Sequence, residues 1–558
     1  MSGAQSPEPH KLRVGLLLDS LELAAWEART VEKIVTSAYA ELALVIVTAP
    51  ERRPDAPHRR IVARAVRALL CRAYAYWEAR YPCEPDAFAP RDVGDLVADV
   101  PVLRARAEYG GVPPGWSPAD LDCIRSARLD VLLTLSKCGD VRELARVARY
   151  GVWAFHHGDP TQGFGRPPGF WEIYYGVPRS AAGLHVVDPA SGETYVLART
   201  YSSTNPFSSW RNNNARYWKA TSLVARKLKQ LRDDGELALR PGSEPHAGAS
   251  NGIACIVKAE PRNRELATFL AGRFMHALRS RAEELLTLPQ WILLFRFGQD
   301  FLTPIREYTQ ILPSKDRFWA DPHVMHRDGK YYIFIEELMF ENNKGHISVL
   351  VMDEAGAWQA PVKVLERDYH LSYPSLFEWE GALYMIPESG DNRTVELYRC
   401  VDFPTRWEFV RNLLEGVEAY DATVLHHDGR WWLFATVVEQ RGASSWDELF
   451  LFHSDSLLGN EWIPHHLNPI ISDAGRARPA GAIIREGERL YRPSQDCSVR
   501  YGYAIRLNEI RRLSADEYEE REVASLSPDG SGGIIGTHTY ARAGGLTVID
   551  GLRPRWRT

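Results

Sequence analysis

Cysteine is scarce in this chain: seven residues in 558, at positions 71, 83, 123, 138, 255, 400 and 497. None forms a CxxC pair or a Cys/His cluster with zinc spacing, so neither a disulfide framework nor a structural metal site is expected. Long apolar runs are also missing. Stretches such as Val14 to Leu18 and Trp291 to Phe295 are far too short for the ~20 residues a membrane helix needs. No positively charged start leads into an apolar run within Met1 to His10, so no secretory signal is expected. Charge of one sign is lacking as well. With 67 basic and 72 acidic side chains the net charge is -5, which creates no field to draw nucleic acid or an anionic membrane. These absences point to a reduced, cytoplasmic protein without nucleic-acid partner or transmembrane segment.

Aromatics, by contrast, are plentiful, with 17 Trp and 24 Tyr, most of them after Tyr150. They staple β-sheets, and they offer flat faces to the C–H side of sugar rings. The length itself calls for two or three domains. KLRVGLLLDS (11–20), a helix-like stretch from Ala24 to Ala38 and ELALVIVTAP (41–50) set up a strand–helix–strand rhythm. It continues through Leu129 to Leu135, a helix-like Val141 to Tyr150, and Gly151 to Phe155. Such alternation implies an α/β domain with a doubly wound parallel sheet over residues 1–240. Arg59 to Arg80 reads as a basic helix with a solvated face. Pro241 to Asn251 reads as a linker, and residues 241–303 as a connector containing a helix (Glu265 to Leu286) and a strand (Gln290 to Phe297).

From residue 304 to 558 the pattern is all-β and repetitive. Five units share a short strand, a turn closed by glycine, and a second apolar strand. Aligning Gly329, Gly381, Gly429, Gly487 and Gly545 gives spacings of 52, 48, 58 and 58 residues, the length of a four-stranded blade. The expected architecture is a five-bladed β-propeller. Inner strands of a propeller converge on its axis, so equivalent positions collect at one mouth. Eight residues before each glycine stand Asp321, Tyr373, Asp421, Pro479 and Thr537; seven after it stand Glu336, Glu388, Thr436 and Ser494, with Asp550 near the fifth equivalent. Paired carboxyls are what glycosyl chemistry uses, one as proton donor and one as base, nucleophile or charge stabiliser, and their repulsion raises one pKa. Asp321, Asp421 and Glu388 are therefore the candidate catalytic residues, with Arg478, Glu336, Tyr373 and His538 as substrate-binding candidates.

The segments ADPHV, SYPSLFE, MIPES, WWLFAT, RARPAG and YRPSQDCSVRYGYA resemble the propeller domain at the N-terminus of plant glucosamine inositolphosphorylceramide transferases, over roughly Pro304 to Arg555. The resemblance implies a glycan-related module; the plant transferase domain is a separate C-terminal unit that this sequence lacks. More distantly, Asp321 in Ala-Asp-Pro resembles the first-blade Asp of arabinanase and invertase propellers. In the first half, Gly151 to Arg199 resembles the core of formyl-tetrahydrofolate-dependent formyltransferases. His156 or His157 matches their catalytic His, and Pro167, Pro168, Gly176 and Gly183 match their framework. Ala154 or Phe155 stands where they have Asn, and Ala190 where they have Asp, which implies loss of most formyl transfer. His156, His157 and Asp159 are then expected to bind donor or acceptor, and Asn205 with RNNN (211–214), Tyr217, Trp218 and Lys219 to grip an anionic donor. The combined expectation is a glycosyltransferase-like, carbohydrate-active enzyme that uses a sugar-nucleotide donor and a glycan acceptor, without a metal. The alternatives are a sugar N-formyltransferase using formyl-tetrahydrofolate, and a non-catalytic glycan-binding scaffold.

Overall fold

The computed structural model describes residues 11–48, 61–78, 80–105, 116–136, 141–159, 168–239, 261–298 and 300–556, with the side chains of 61–68 left aside. The linker expected at Pro241 to Asn251, and Pro167, lie outside the described residues. Two compact units emerge: Met1–Thr200 with Thr204–Phe274 and Gln440–Ala443, and Tyr201–Ser203 with Met275–Glu439 and Ser444–Thr558.

The first unit is the expected α/β domain. Its seven-stranded sheet runs in the order Val102–Ala105, Ala40–Thr48, Leu12–Leu18, Val131–Thr134, Val152–His157, Arg179–Val187, Thr194–Ser203. The first five strands are mutually parallel, and Arg179–Val187 pairs antiparallel with its neighbour. A central strand covered on both faces has no polar side, and Val14, Leu16, Leu17 and Leu18 are indeed completely buried. The helix Ala25–Val35 begins where Glu27 turns back to accept the Ala24 N–H at 2.9 Å. The 26-residue helix Ser209–Asp234 starts at Ser208, whose hydroxyl accepts from the Arg211 N–H. Between Val141 and Tyr150 only Arg142–Ala145 is α-helical, and no side-chain hydrogen bond caps its start. No helix among the described residues is long and apolar enough to cross a membrane.

The second unit is a five-bladed β-propeller. Four sheets follow one another in sequence: Arg317–Arg327 to Val362–Leu365, Ser372–Trp379 to Arg406–Glu415, Ala419–His427 to Ile463–Pro464, and Ile484–Glu486 to Tyr518–Leu526. The fifth is assembled from both ends of the unit: Tyr540–Ala543 and Leu546–Trp556 pair with Thr287–Phe297 and Thr309–Ile311. Gln290 to Phe297, read from sequence as part of a connector, is thus the third strand of the last blade. Its full length pairs antiparallel with the C-terminal strand, from Thr287 opposite Trp556 to Phe297 opposite Leu546.

Strand periodicity explains how the sheets stack. In Lys330–Met339 the side chains of Tyr331, Ile333 and Ile335 face the fifth blade, packing with Leu293, Leu546 and Val548. Phe334, on the opposite face, packs with Met385 and Trp407 of the second blade. A comparable apolar cluster lies at each of the remaining blade junctions. In the first three hairpins the two-residue turns Asp328-Gly329, Glu380-Gly381 and Asp428-Gly429 all have positive φ at both positions, the geometry that matches strand twist.

Closure of the ring by the fifth sheet predicts an asymmetry between its residues. Leu293→Ala and Ile549→Ala, both at fully buried positions, should each destabilise the propeller by ~2–5 kcal/mol. Val523→Ala, at an exposed strand position, should change stability by less than about 0.5 kcal/mol. Urea unfolding followed by tryptophan fluorescence measures both, and equal effects would refute the closure.

Candidate functional site

Three equivalent kinks build the site. In each of the first three blades the inner strand slips register against its neighbour, between Ala320 and His323, Ser372 and Ser375, and Tyr420 and Thr423. The residue at the slip takes a left-handed conformation: Asp321 at φ 51°, Tyr373 at 41° and Asp421 at 51°. Such backbone is uncommon outside glycine, and here it turns three side chains toward the propeller axis.

Asp421 is held most tightly. Arg478 donates Nε to its Oδ2 at 2.5 Å and Nη2 to its Oδ1 at 3.1 Å, and Gln495 Nε2 adds a bond at 2.8 Å. The same Arg478 Nη2 reaches Glu388 Oε2 at 3.2 Å, and its guanidinium lies against the rings of Tyr420 and Tyr501. Asp421 is 1 % exposed, and burial raises its carboxyl while the paired arginine pulls it back toward the charged form. Burial, then the neighbouring Asp421 charge, raise the Glu388 carboxyl well above its usual range against the pull of Arg478. Glu388 keeps its proton and donates it in a hydrogen bond to Asp421.

Asp321 has the opposite electrostatics. Its Oδ1 takes the Thr539 hydroxyl at 2.7 Å and His538 Nε2 at 3.2 Å, and its Oδ2 accepts the Tyr373 N–H at 3.3 Å. Behind it, His538 Nδ1 faces Asp550 Oδ2 at 2.8 Å. Asp550 in turn accepts the N–H groups of Asp321, His538 and Thr539. Burial would raise the Asp321 carboxyl, but His538, Thr539 and Arg478 outweigh it and hold it near 2. The two flanking carboxylates overcome the burial penalty on His538 and raise it well above its ordinary value, so an imidazolium bridges two carboxylates. Ligand-type atoms of Asp321, His538 and Asp550 lie within 4.8 Å of one another, and the trio of two carboxylates and one imidazolium keeps one net negative charge.

The expected residues of the second unit therefore converge, with distinct placements. Glu388 and Glu336 are closest to solvent, their side chains 10 % and 8 % exposed. Glu336 Oε1 meets His370 Nε2 at 3.1 Å, while the His370 Nδ1 accepts the Gly345 N–H. Tyr373 is fully buried; its hydroxyl bonds the Thr423 hydroxyl at 2.9 Å and accepts the Gly481 N–H at 2.7 Å. Its hydroxyl is thereby engaged within the protein on two sides. His370, Tyr501, Thr539 and Asp550 complete the site without having been among the leading candidates.

His156, His157 and Asp159 belong to the first unit, at the end of Val152–His157. The His157 ring stacks on Tyr217 at 3.5 Å, with Trp26 edge-on and Phe155 alongside. Burial, then Arg216 and His156, push its pKa well below the usual value, and neither ring nitrogen has a hydrogen-bond partner. His156 stacks on His185. The asparagine run is engaged within the unit: Asn212 accepts from the Ser180 hydroxyl, Asn213 donates to the Pro168 carbonyl, and Asn214 braces Ala87 and Pro85. Trp210, Asn213 and Tyr217 line a cavity of about 560 Å³ together with Tyr74, Tyr81 and Phe88.

Residues 306–533 match the family described as "Glucosamine inositolphosphorylceramide transferase 1, N-terminal". Proteins named glucosamine inositolphosphorylceramide transferase 1 are 34% identical over 249 residues in Oryza sativa subsp. japonica and 35% over 216 residues in Arabidopsis thaliana. These alignments cover 42% and 38% of this chain, and 33% and 28% of the plant proteins. The chain thus spans about a third of the length of the relatives it matches. Among solved structures, a family 117 glycoside hydrolase from Zobellia galactanivorans aligns at 12% identity and a TM-score of 0.32, covering 47% of this chain and 90% of its own. The family match falls within the propeller unit.

The raised Glu388 carboxyl makes a signed prediction. In the unfolded chain it ionises in the ordinary range, whereas in the fold it keeps its proton to higher pH. Between those limits the native state holds the extra proton, so its contribution to stability falls as pH rises. Glu388→Gln removes that pH-dependent contribution. Thermal melts of parent and variant should therefore diverge in the variant's favour from pH 5 to pH 8, and parallel curves would refute a protonated Glu388.

Proposed function

We propose that the propeller mouth is the glycosyl-handling site of a transferase acting in glycoconjugate assembly, as the names of its plant relatives suggest. The observation that carries this reading is the splitting of the carboxyl pKa values: Glu388 driven up, Asp321 held near 2. Two carboxyls set apart by environment mark acid and base assignments. Glu388, at the solvent edge, donates a proton to the oxygen leaving the anomeric carbon. Asp321 remains ionised beneath it and stabilises the positive charge that develops on the sugar. The acceptor oxygen then bonds to the anomeric carbon, and its proton passes to the Glu388 carboxylate, restoring the acid. Asp421 touches neither reacting atom; it fixes Arg478 and receives the Glu388 hydrogen bond, and so positions the acid. The donor we assign is a sugar nucleotide and the acceptor a glycan or glycolipid hydroxyl. The first unit would hold one of them, its cavity beside Trp210 and Tyr217 offering stacking faces. The environment of His157, stacked among aromatics and kept neutral, does not favour formyl transfer.

Glycosyl transfer from a panel of sugar nucleotides to glycan acceptors tests the reading. Glu388→Gln should lower kcat by about 10²–10⁴ with a smaller effect on KM, the range for loss of a positioned proton donor. The parent's kcat should fall as pH rises through the Glu388 titration. Undiminished turnover in Glu388→Gln and Asp321→Asn would sink the proposal.

A further inference from the structure

The inner strands that carry the charged site at their beginnings run on to a second opening of the propeller. A cavity of about 570 Å³ lies there, lined among others by His323, Leu376, Arg485, Glu486, Arg542 and Gly544. His323 follows Asp321 in the same strand, and the 482–486 and 540–545 segments follow Arg478 and His538 along the chain. Between the two openings stands Tyr373. Its hydroxyl is tied to Thr423 and Gly481, and its ring lies edge-on to His323 at 4.7 Å and 83°. The cavity is therefore separate from the Glu388 mouth.

Its polar lining is specific. His323 is 3 % exposed, and its Nε2 has no hydrogen-bond partner. The other ring nitrogen, Nδ1, lies 3.4 Å from the Asp321 carbonyl. Burial lowers the His323 pKa to about 4, so the ring is neutral. With the proton on Nδ1, toward the carbonyl, Nε2 is a buried acceptor without a donor, a state that native proteins rarely leave unfilled. Arg485 is exposed, and Arg542 lies 3.8 Å from the one acidic lining residue, Glu486. Two guanidinium groups against one carboxylate leave the wall net positive. A ligand matching this wall needs an anionic group for the arginines and a hydroxyl to donate to His323. The volume falls within the range of small-molecule sites.

We propose that this second mouth binds a small hydroxylated anion of the sugar-phosphate class, with its phosphate at Arg485 and Arg542 and a hydroxyl on His323 Nε2. The site is distinct from the one proposed for glycosyl transfer, and does not require that reading. Isothermal titration of the full chain with glucose 6-phosphate, inorganic phosphate and glucose tests it. Glucose 6-phosphate should bind saturably, at least tenfold tighter than phosphate, and glucose should not bind. Arg485→Ala should weaken binding tenfold or more. Ala482→Trp, at an exposed lining position, should abolish it by filling the entrance, while Glu388→Gln leaves it unchanged. Both lining variants are exposed, and an unchanged melting temperature without ligand establishes that they fold. Absence of saturable binding overturns the proposal, as does equal affinity for phosphate and glucose 6-phosphate. So does loss of binding in Glu388→Gln with retention in Arg485→Ala.

Discussion

The structure of the propeller depends on one antiparallel pair, Thr287–Phe297 against Leu546–Trp556. Without it the fifth sheet has half its strands and the ring stays open. Asp321 and Asp550 lie 229 residues apart in sequence, and the length-dependent part of closing such a loop costs about 5 kcal/mol. The pair buries Ile292, Leu293, Leu294, Val548 and Ile549 completely, and each such side chain contributes ~1.5–3 kcal/mol on leaving water. Closure in turn delivers His538, Thr539 and Asp550 to the side of Asp321. The same contact that completes the ring completes the site.

That delivery decides which carboxyl is charged. Asp321 and Asp421 occupy equivalent positions with the same backbone conformation and similar burial, so conformation alone cannot separate them. Their partners do. Asp321 receives an imidazolium that is itself balanced by a second carboxylate, whereas Asp421 shares one guanidinium with Glu388. Both groups set one cation against two acids, but Asp550 also accepts three backbone N–H groups and Asp321 the Thr539 hydroxyl and the Tyr373 N–H, whereas Glu388 has the Arg478 Nη2 at 3.2 Å and takes the proton. A fold built from repeats obtains chemical difference from its non-repeating neighbours.

Much of this was legible in the sequence because it is local. The turn glycines and the alternation in segments such as KYYIFIEE (330–337) need only a few neighbouring residues to be read, and they yielded the repeat, the blade number and the Asp321, Asp421 and Glu388 positions. The strand Gln290 to Phe297 was also visible, but its partner lies more than two hundred residues later, so its sheet was not. Arg478 and His538 each lie one residue off the spacing defined by the turn glycines; the fourth and fifth inner strands lack the kink of the first three and start late, at Ile484 and Tyr540. In the first unit the parallel sheet follows from apolar runs, whereas the fate of His157 was set by Tyr217, on a helix sixty residues away.

The three kinks also bear on what the channel can do. Each places a non-glycine residue at positive φ, at a cost of order 1 kcal/mol or more, and the surrounding ladders hold it there. Two of them carry aspartate and one carries tyrosine. A third aspartate at Tyr373 would add another buried carboxylate beside Asp321 and Asp421 with no cation to match it. The tyrosine avoids that charge, donates its backbone N–H to Asp321, and spans the axis to Thr423 and Gly481. Fully buried, it places an uncharged ring beside the carboxyls. Tyr373 thus stands uncharged in the second blade, at the position that carries aspartate in the first and third.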